Sequence, residues 1–113
     1  MAGFIAAGVI RGDHPIASVD ELQEAKAHGE CILDVRTDAE FAAGHIPGAT
    51  HIPLDQLRDQ LSQLSRETPV ISYCKVGQRG YMATRILLQH GFQARNLSGG
   101  FTTWQMVTGT SQG

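Results

Sequence analysis

Two apolar runs of strand length, "CILDV" at 31–35 and "PVISYC" at 69–74, constrain this chain more than any other feature. Neither alternates with polar residues as a strand with one wet face would. Short uninterrupted aliphatic runs fit strands covered on both faces, the habit of parallel sheets whose strands are joined by helices. The segments around them carry a helical period. "SVDELQEAKAHG" opens with a capping box between Ser18 and Glu21, places Val19, Leu22 and Ala25 or Lys26 on one face, and stops at Gly29. Thr37 and Glu40 predict a second capping box, opening a short helix that "AAGHIPGA" ends. "THIPL" (50–54) predicts a very short strand, and leucines at 54, 57, 61 and 64 predict a helix. Residues 79–90 predict a further helix, with Met82, Ile86 and Leu87 toward a core and Gly91 as its cap. "QARNL" (93–97) adds a strand and "GGFTTWQMV" a last short helix. The alternation predicts an α/β sandwich around a mainly parallel sheet.

A chain of 113 residues, 42% hydrophobic and 18% charged, suffices for one domain with its own core. Residues 1–15 read as a tail or linker, since "MAGFIAAGVI" is too short to span a bilayer and "RGDHP" is turn-rich; residues 16–113 form the domain. A net charge of −2 without blocks of like charge argues against a nucleic-acid surface or a polybasic membrane patch. Two cysteines 43 residues apart, with no C-x-x-C, give neither a disulfide framework nor a zinc site, and fit reduced thiols in a cytoplasm.

The chemistry concentrates in "CKVGQRG", 74–80, where a strand ends and a helix begins. Ligand sites of parallel sheets lie beyond the carboxyl ends of the strands. Gly77 and Gly80 let the backbone curl so that successive N–H groups converge on an anion, and the following helix points its N-terminus at the same place. Lys75 and Arg79 add two positive charges, Arg79 with a planar fork suited to oxyanions. An ordinary thiol, with a pKa of about 8.5, is only about 3% thiolate at pH 7, and a cationic loop of this kind is expected to raise that fraction. Cys74 therefore reads as a nucleophile for an anionic substrate. The loop holds no histidine to serve as a local base. Four residues, Lys75 to Gln78, separate Cys74 from Arg79; cysteine phosphatases use a longer interval, and the tighter ring suits a terminal sulfur better than a phosphoryl group.

The C-x-x-x-x-R loop after an apolar strand resembles the active-site loop of rhodanese-type sulfurtransferases. "ILDVRTDAEFAAGHIPGATHIPL" (32–54) is similar to that family's upstream signature, and "GFQARNLSGGFTTW" (91–104) to its closing pattern. The resemblance covers about residues 16–104 and implies a three-layer sandwich, a five-stranded parallel sheet with helices on both faces. It also implies double displacement: Cys74 takes a sulfane sulfur from thiosulfate or a thiol persulfide, and a thiol or cyanide then removes it. Cys74 and Arg79 are the implied catalytic residues, and Lys75, Val76, Gly77, Gln78 and Gly80 the loop that cradles the persulfide. Many members carry Arg where Lys75 stands and Ser where Gly80 stands. A catalytically silent binding module on the same fold is the first rival reading, and a phosphatase or arsenate reductase the second.

Asp34, at the end of the neighbouring strand, either borders the pocket or serves the structure, and Arg36 is a second candidate for the pocket border. Arg36 and Glu40, four apart, are expected to form a local ion pair. Turn-stabilising hydrogen bonds are expected of His45 and His51 rather than metal binding, and no metal is expected. Cys31, without nearby cations, should be inert, and Trp104 should pack in the core. The apolar start and the loop "YCKVGQRGY" look like those of rhodanese domains appended to coenzyme A-disulfide reductase-type flavoproteins. That resemblance implies a flavin reductase domain as partner in a parent chain, with FAD, NADH and coenzyme A belonging to the parent. No G-x-G-x-x-G is present, so no cofactor is expected in this chain.

Overall fold

The computed structural model describes residues 16–76 and 78–109. The expectation of a tail at 1–15 and the whole of Gly77 lie outside the described residues. In chain order the elements are β1 (Ile16–Ala17), α1 (Val19–Ala27), β2 (Cys31–Asp34), α2 (Asp38–Ala43) and β3 (Thr50–His51). Two 3₁₀ segments (Leu54–Gln56 and Arg58–Gln63) follow, then β4 (Val70–Tyr73), α3 (Gln78–Gln89), β5 (Ala94–Leu97) and α4 (Gly100–Thr108). All four strand pairings are parallel, and the five strands lie in the order β1-β5-β4-β2-β3. β4 is central, with β2 on one side and β5 on the other.

Both faces of the sheet are covered, as the apolar runs require. Ile32, Ile71, Tyr73 and Leu97 pack on one face against Val19 and Leu22 of α1 and Phe101 and Trp104 of α4. Leu33, Val35 and Val70 pack on the other against Ala83, Ile86 and Leu87 of α3 and Leu57 and Leu61 of the 3₁₀ segments. Both capping boxes are formed: Ser18 Oγ accepts from Glu21 N–H while Glu21 accepts from Ser18 N–H, and Thr37 and Glu40 repeat the exchange. Gly29 and Gly91, past the ends of α1 and α3, take φ of +80° and +87°, which a side chain resists.

Three expectations are corrected and one element is new. The leucine-rich segment is 3₁₀ rather than α, closed by i+3 bonds such as Leu57 N–H to Leu54 O and Leu64 N–H to Leu61 O. Gln60 leaves helical geometry (φ −114°, ψ 15°), so the leucines reach the core from two short turns. The strand expected over 50–54 is only Thr50–His51, because Pro53 cannot donate to a ladder. Met82, expected in the core, is 54% exposed. Sequence patterning did not locate β1; its two residues are held by pairing with Asn96 and Leu97 of β5.

Candidate active site

Cys74 follows the last residue of the central strand at the carboxyl edge of the sheet, and it is 1% exposed. Its backbone is fixed from the far side of the fold. Phe101 N–H donates to the Cys74 carbonyl at 2.7 Å and Thr102 N–H to the Lys75 carbonyl at 3.1 Å. The first turn of α4 thus spends its unpaired amides on the loop. The approach is close enough that a Cβ on Gly100 (φ +63°) would run into both carbonyls, which is what the double glycine provides. From the other direction α3 begins at Gln78 with its N-terminus at the loop. Ser72 Oγ on β4 donates to Gly80 O (3.1 Å) and lies 2.8 Å from Thr84 Oγ1, locking the start of α3 to the strand that presents Cys74.

Gly80 has a role different from the one expected. It sits inside the first turn of α3 and is not among the glycines with positive φ, so it does not curl the loop. A Cβ there would collide with Asn96 Oδ1 and come into ordinary contact with Cys74 N. The missing side chain lets α3 pack against β5 and the cysteine backbone, and a serine would not fit without movement.

Arg79 and Glu40 define the electrostatics. The expected Arg36–Glu40 pair is not formed. Glu40 instead takes a two-pronged ion pair from Arg79, Nη1 to Oε1 at 2.7 Å and Nη2 to Oε2 at 3.0 Å, joining α2 to α3. The reason is competition: Arg36 is claimed by a nearer, buried carboxylate. The Arg79 hydrogen bonds hold the Glu40 carboxyl down at about 2, against an ordinary 4.5. In return Glu40, by hydrogen bond and charge, raises Arg79, and the charge of Cys74 adds to this. Arg79 is therefore within electrostatic reach of the sulfur while its fork is held by Glu40. Lys75 and Val76 are exposed at the rim, and Gln78 is exposed at the head of α3.

Asp34 and Arg36 turn out to be a buried unit. Arg36 Nε and Nη2 donate to Asp34 at 3.1 and 2.8 Å, Arg36 N–H donates to Oδ1, and Tyr73 O–H donates to Oδ2 at 2.7 Å. Tyr73 in turn accepts from Ile46 N–H, and the Arg36 guanidinium lies 4.4 Å from the Phe101 ring centre. Burial, then the Asp34 charge, pushes the Tyr73 hydroxyl up, so it remains a donor. Asp34 is fully buried, whereas Arg36 lines a cleft of about 740 Å³ whose lining also includes Arg79 but not Asp34. His45 Nδ1 is hydrogen-bonded to Phe41 O at 3.0 Å, a turn contact, whereas His51 Nε2 is hydrogen-bonded at 2.9 Å to Arg36 O, 15 residues away, and ties β3 to the segment after β2. Trp104 packs in the core beside Phe101. Patterning missed the Arg79–Glu40 pair and the Gly100 contact, which join elements distant in sequence, and the Ser72–Thr84 lock, which joins a strand to the helix that follows it.

The arrangement is that of an α/β domain presenting one cysteine in a helix-backed loop at the edge of a parallel sheet. The chain belongs to the rhodanese-like domain family, whose profile matches residues 18–107. It is 31% identical over 99 residues to the thiosulfate sulfurtransferase GlpE of Ectopseudomonas mendocina, covering 85% of this chain and 91% of that one. To the human thiosulfate:glutathione sulfurtransferase it is 34% identical, covering 80% and 92%. Among solved structures, the reduced CoADR-RHD of Bacillus anthracis superposes with a TM-score of 0.81 at 32% identity, over 85% of this chain and 17% of that one. The NAD-dependent persulfide reductase of A. fulgidus gives 0.66 at 32% identity, over 80% and 16%. The chain thus spans about a sixth of either reductase. No helix among the described residues is long and apolar enough to cross a membrane.

Proposed function

We infer that this domain is an active sulfurtransferase with Cys74 as the sulfur carrier. One observation carries the reading: the cysteine stands at the carboxyl end of the central strand, its backbone clamped by α4, with the head of α3 starting at its loop and the Arg79 cation, held by Glu40, within electrostatic reach. In the first half-reaction the Cys74 thiolate attacks the sulfane sulfur of thiosulfate or a persulfide. The donor S–S bond breaks, and sulfite or a thiolate leaves with the bonding pair. In the second, a thiol or cyanide attacks the outer sulfur of the Cys74 persulfide and the thiolate is restored. The two displacements leave the enzyme's redox state unchanged. Arg79, Lys75 and the helix N-terminus supply positive potential to the charge on the outer sulfur, the kind of stabilisation that most lowers such barriers.

The likeness to two reductases of which this domain is about a sixth supports a further placing. The domain works as the C-terminal sulfur-handling part of a pyridine nucleotide-dependent disulfide or persulfide reductase, with FAD, NADH and coenzyme A in the parent and no cofactor of its own. The catalytic reading is tested by thiosulfate-to-cyanide transfer with wild type and Cys74→Ser. A folded wild type without turnover would leave a binding module. The reductase reading is tested in the parent enzyme: NADH-dependent persulfide turnover should fall with Cys74→Ser, and unchanged turnover would sever the link.

A further inference from the structure

Beside the cysteine loop, the cleft of about 740 Å³ runs between the 3₁₀ segments and α3. Its face on α3 is formed by Arg79, Met82, Ile86 and Gln89, positions that recur on one side of a helix. Arg79 marks the end nearest Cys74. At a rise of 1.5 Å per residue, Arg85 lies about 9 Å further along the helix axis and Gln89 about 15 Å. The walls between are apolar: Val35, Leu54 and Ile86, with the exposed Met82 thioether over them.

The charge on this cleft is one-sided. Four arginines line it, at 36, 58, 79 and 85, against a single carboxylate, Asp55. Two are committed, Arg36 to Asp34 and Arg79 to Glu40. The other two are not neutralised among the described residues. Arg85 donates only to the uncharged Tyr81 hydroxyl (3.2 Å), over whose ring it lies, and Arg58 takes part in no described hydrogen bond or ion pair. In a chain of net charge −2, an apolar trough ending in two uncommitted guanidinium groups is a local inversion of sign. Neither thiosulfate nor cyanide is long enough to use it.

We propose that this cleft is the binding site for the tail of the thiol or persulfide substrate, and that the tail is anionic. The sulfur would sit at Cys74, an aliphatic stem along Met82 and Ile86, and a carboxylate or phosphate between Arg58 and Arg85, about 9 Å beyond Arg79 along the helix axis. The proposal rests on the sulfurtransferase reading for its chemistry, but not for its binding, so the two can fail separately.

The test uses matched acceptors: 6-mercaptohexanoate and 6-mercaptohexyl phosphate against the neutral 6-mercaptohexanol, with 3-mercaptopropionate as a charged thiol too short to span the cleft. With the persulfide-loaded domain, kcat/KM for the charged hexyl thiols should exceed that for the neutral one by about three- to tenfold, as two exposed ion pairs allow. The difference should lie in KM, the phosphate should exceed the carboxylate, and high salt should erase the preference. Arg58→Gln with Arg85→Gln should bring the charged-to-neutral ratio to about one, whereas replacing both by lysine should keep most of it. Binding is read separately by amide chemical shifts with the unreactive hexyl phosphate, which should move residues 82–89 in the wild type and not in the double glutamine variant. Those shifts without any sulfur transfer would uphold the cleft and overturn the sulfurtransferase reading. Transfer with equal ratios for charged and neutral thiols, or shifts that ignore the two arginines, would overturn the cleft.

Discussion

Two cysteines sit at opposite ends of neighbouring parallel strands, and their surroundings could hardly differ more. Cys31 opens β2 at the amino edge of the sheet, paired in register with Val70; burial pushes its thiol up, only partly offset by a hydrogen bond from the Thr50 side chain. Cys74 leaves β4 at the carboxyl edge, where α3 starts, the Glu40-held Arg79 lies within electrostatic reach and α4 grips the backbone. The difference is one of topology rather than of residue type. In a parallel sheet every strand delivers its carboxyl end to the same edge, and every following helix delivers its N-terminus there, so one edge gathers positive potential and the other does not. A thiol becomes useful at the first edge and inert at the second.

The sharpest way to break this comparison is to remove each sulfur in turn. Cys74→Ser should lower thiosulfate-to-cyanide turnover to background. Cys31→Ser should leave it within about twofold, at a stability cost no greater than the roughly 1–3 kcal/mol of a disturbed core position. Comparable losses from both would mean that the two edges are not chemically distinct.

Two arginine pairs refine the same contrast between function and structure. Arg79→Ala removes a half-exposed ion pair worth only about 0.2–1 kcal/mol, yet should slow transfer by about 10- to 1,000-fold through the lost potential at the sulfur. Asp34→Ala, which strands the buried Arg36 guanidinium, should cost about 3–5 kcal/mol and lower the melting temperature steeply. Thermal melts and turnover on both variants decide the matter; a destabilised Arg79→Ala with normal turnover would reverse the assignment.

A smaller effect is expected at Gly80. Gly80→Ser should destabilise by about 1–3 kcal/mol, the range for an overpacked site, because its Cβ runs into the Asn96 side chain. Pairing it with Asn96→Ala should recover much of the loss in a denaturant titration, and no recovery would place the strain elsewhere.

The smallest is the pH dependence of the Glu40–Arg79 pair. Glu40 titrates lower in the folded chain than unfolded, so its contribution is fully present above about pH 4.5 and disappears as pH falls toward 2. Partly exposed to solvent, the pair should be worth less than about 1 kcal/mol. The stability difference between wild type and Glu40→Gln should therefore shrink on acidification, and a gap that widens would contradict the sign.

These residues also show what the sequence could and could not disclose. Capping boxes at Ser18 and Thr37 and the two buried strands are local patterns, so they were legible, whereas the part Gly80 plays in the C-x-x-x-x-R loop depends on Asn96 of β5 and was not. The partner of Arg79 was not, because Glu40 lies 39 residues away and a nearer candidate, Arg36, satisfied the i, i+4 rule. That rule gave the wrong pair because Asp34, two residues from Arg36, faces the same buried pocket. Leucine spacing marked the core-facing side of residues 54–64 correctly but could not separate two 3₁₀ turns from one α-helix. Met82 fitted the apolar stripe of α3, and only the packed fold reveals that this part of the stripe lines an open cleft. Strand β1 exists through its partner alone.

Mass spectrometry of the intact domain after incubation with thiosulfate and removal of excess donor tests the central claim most directly. One added sulfur, about 32 Da, should be found on the peptide containing Cys74, vanish on treatment with cyanide, and be absent from the peptide containing Cys31. An unmodified Cys74 in the folded wild type, or sulfur divided equally between the two cysteines, would contradict it.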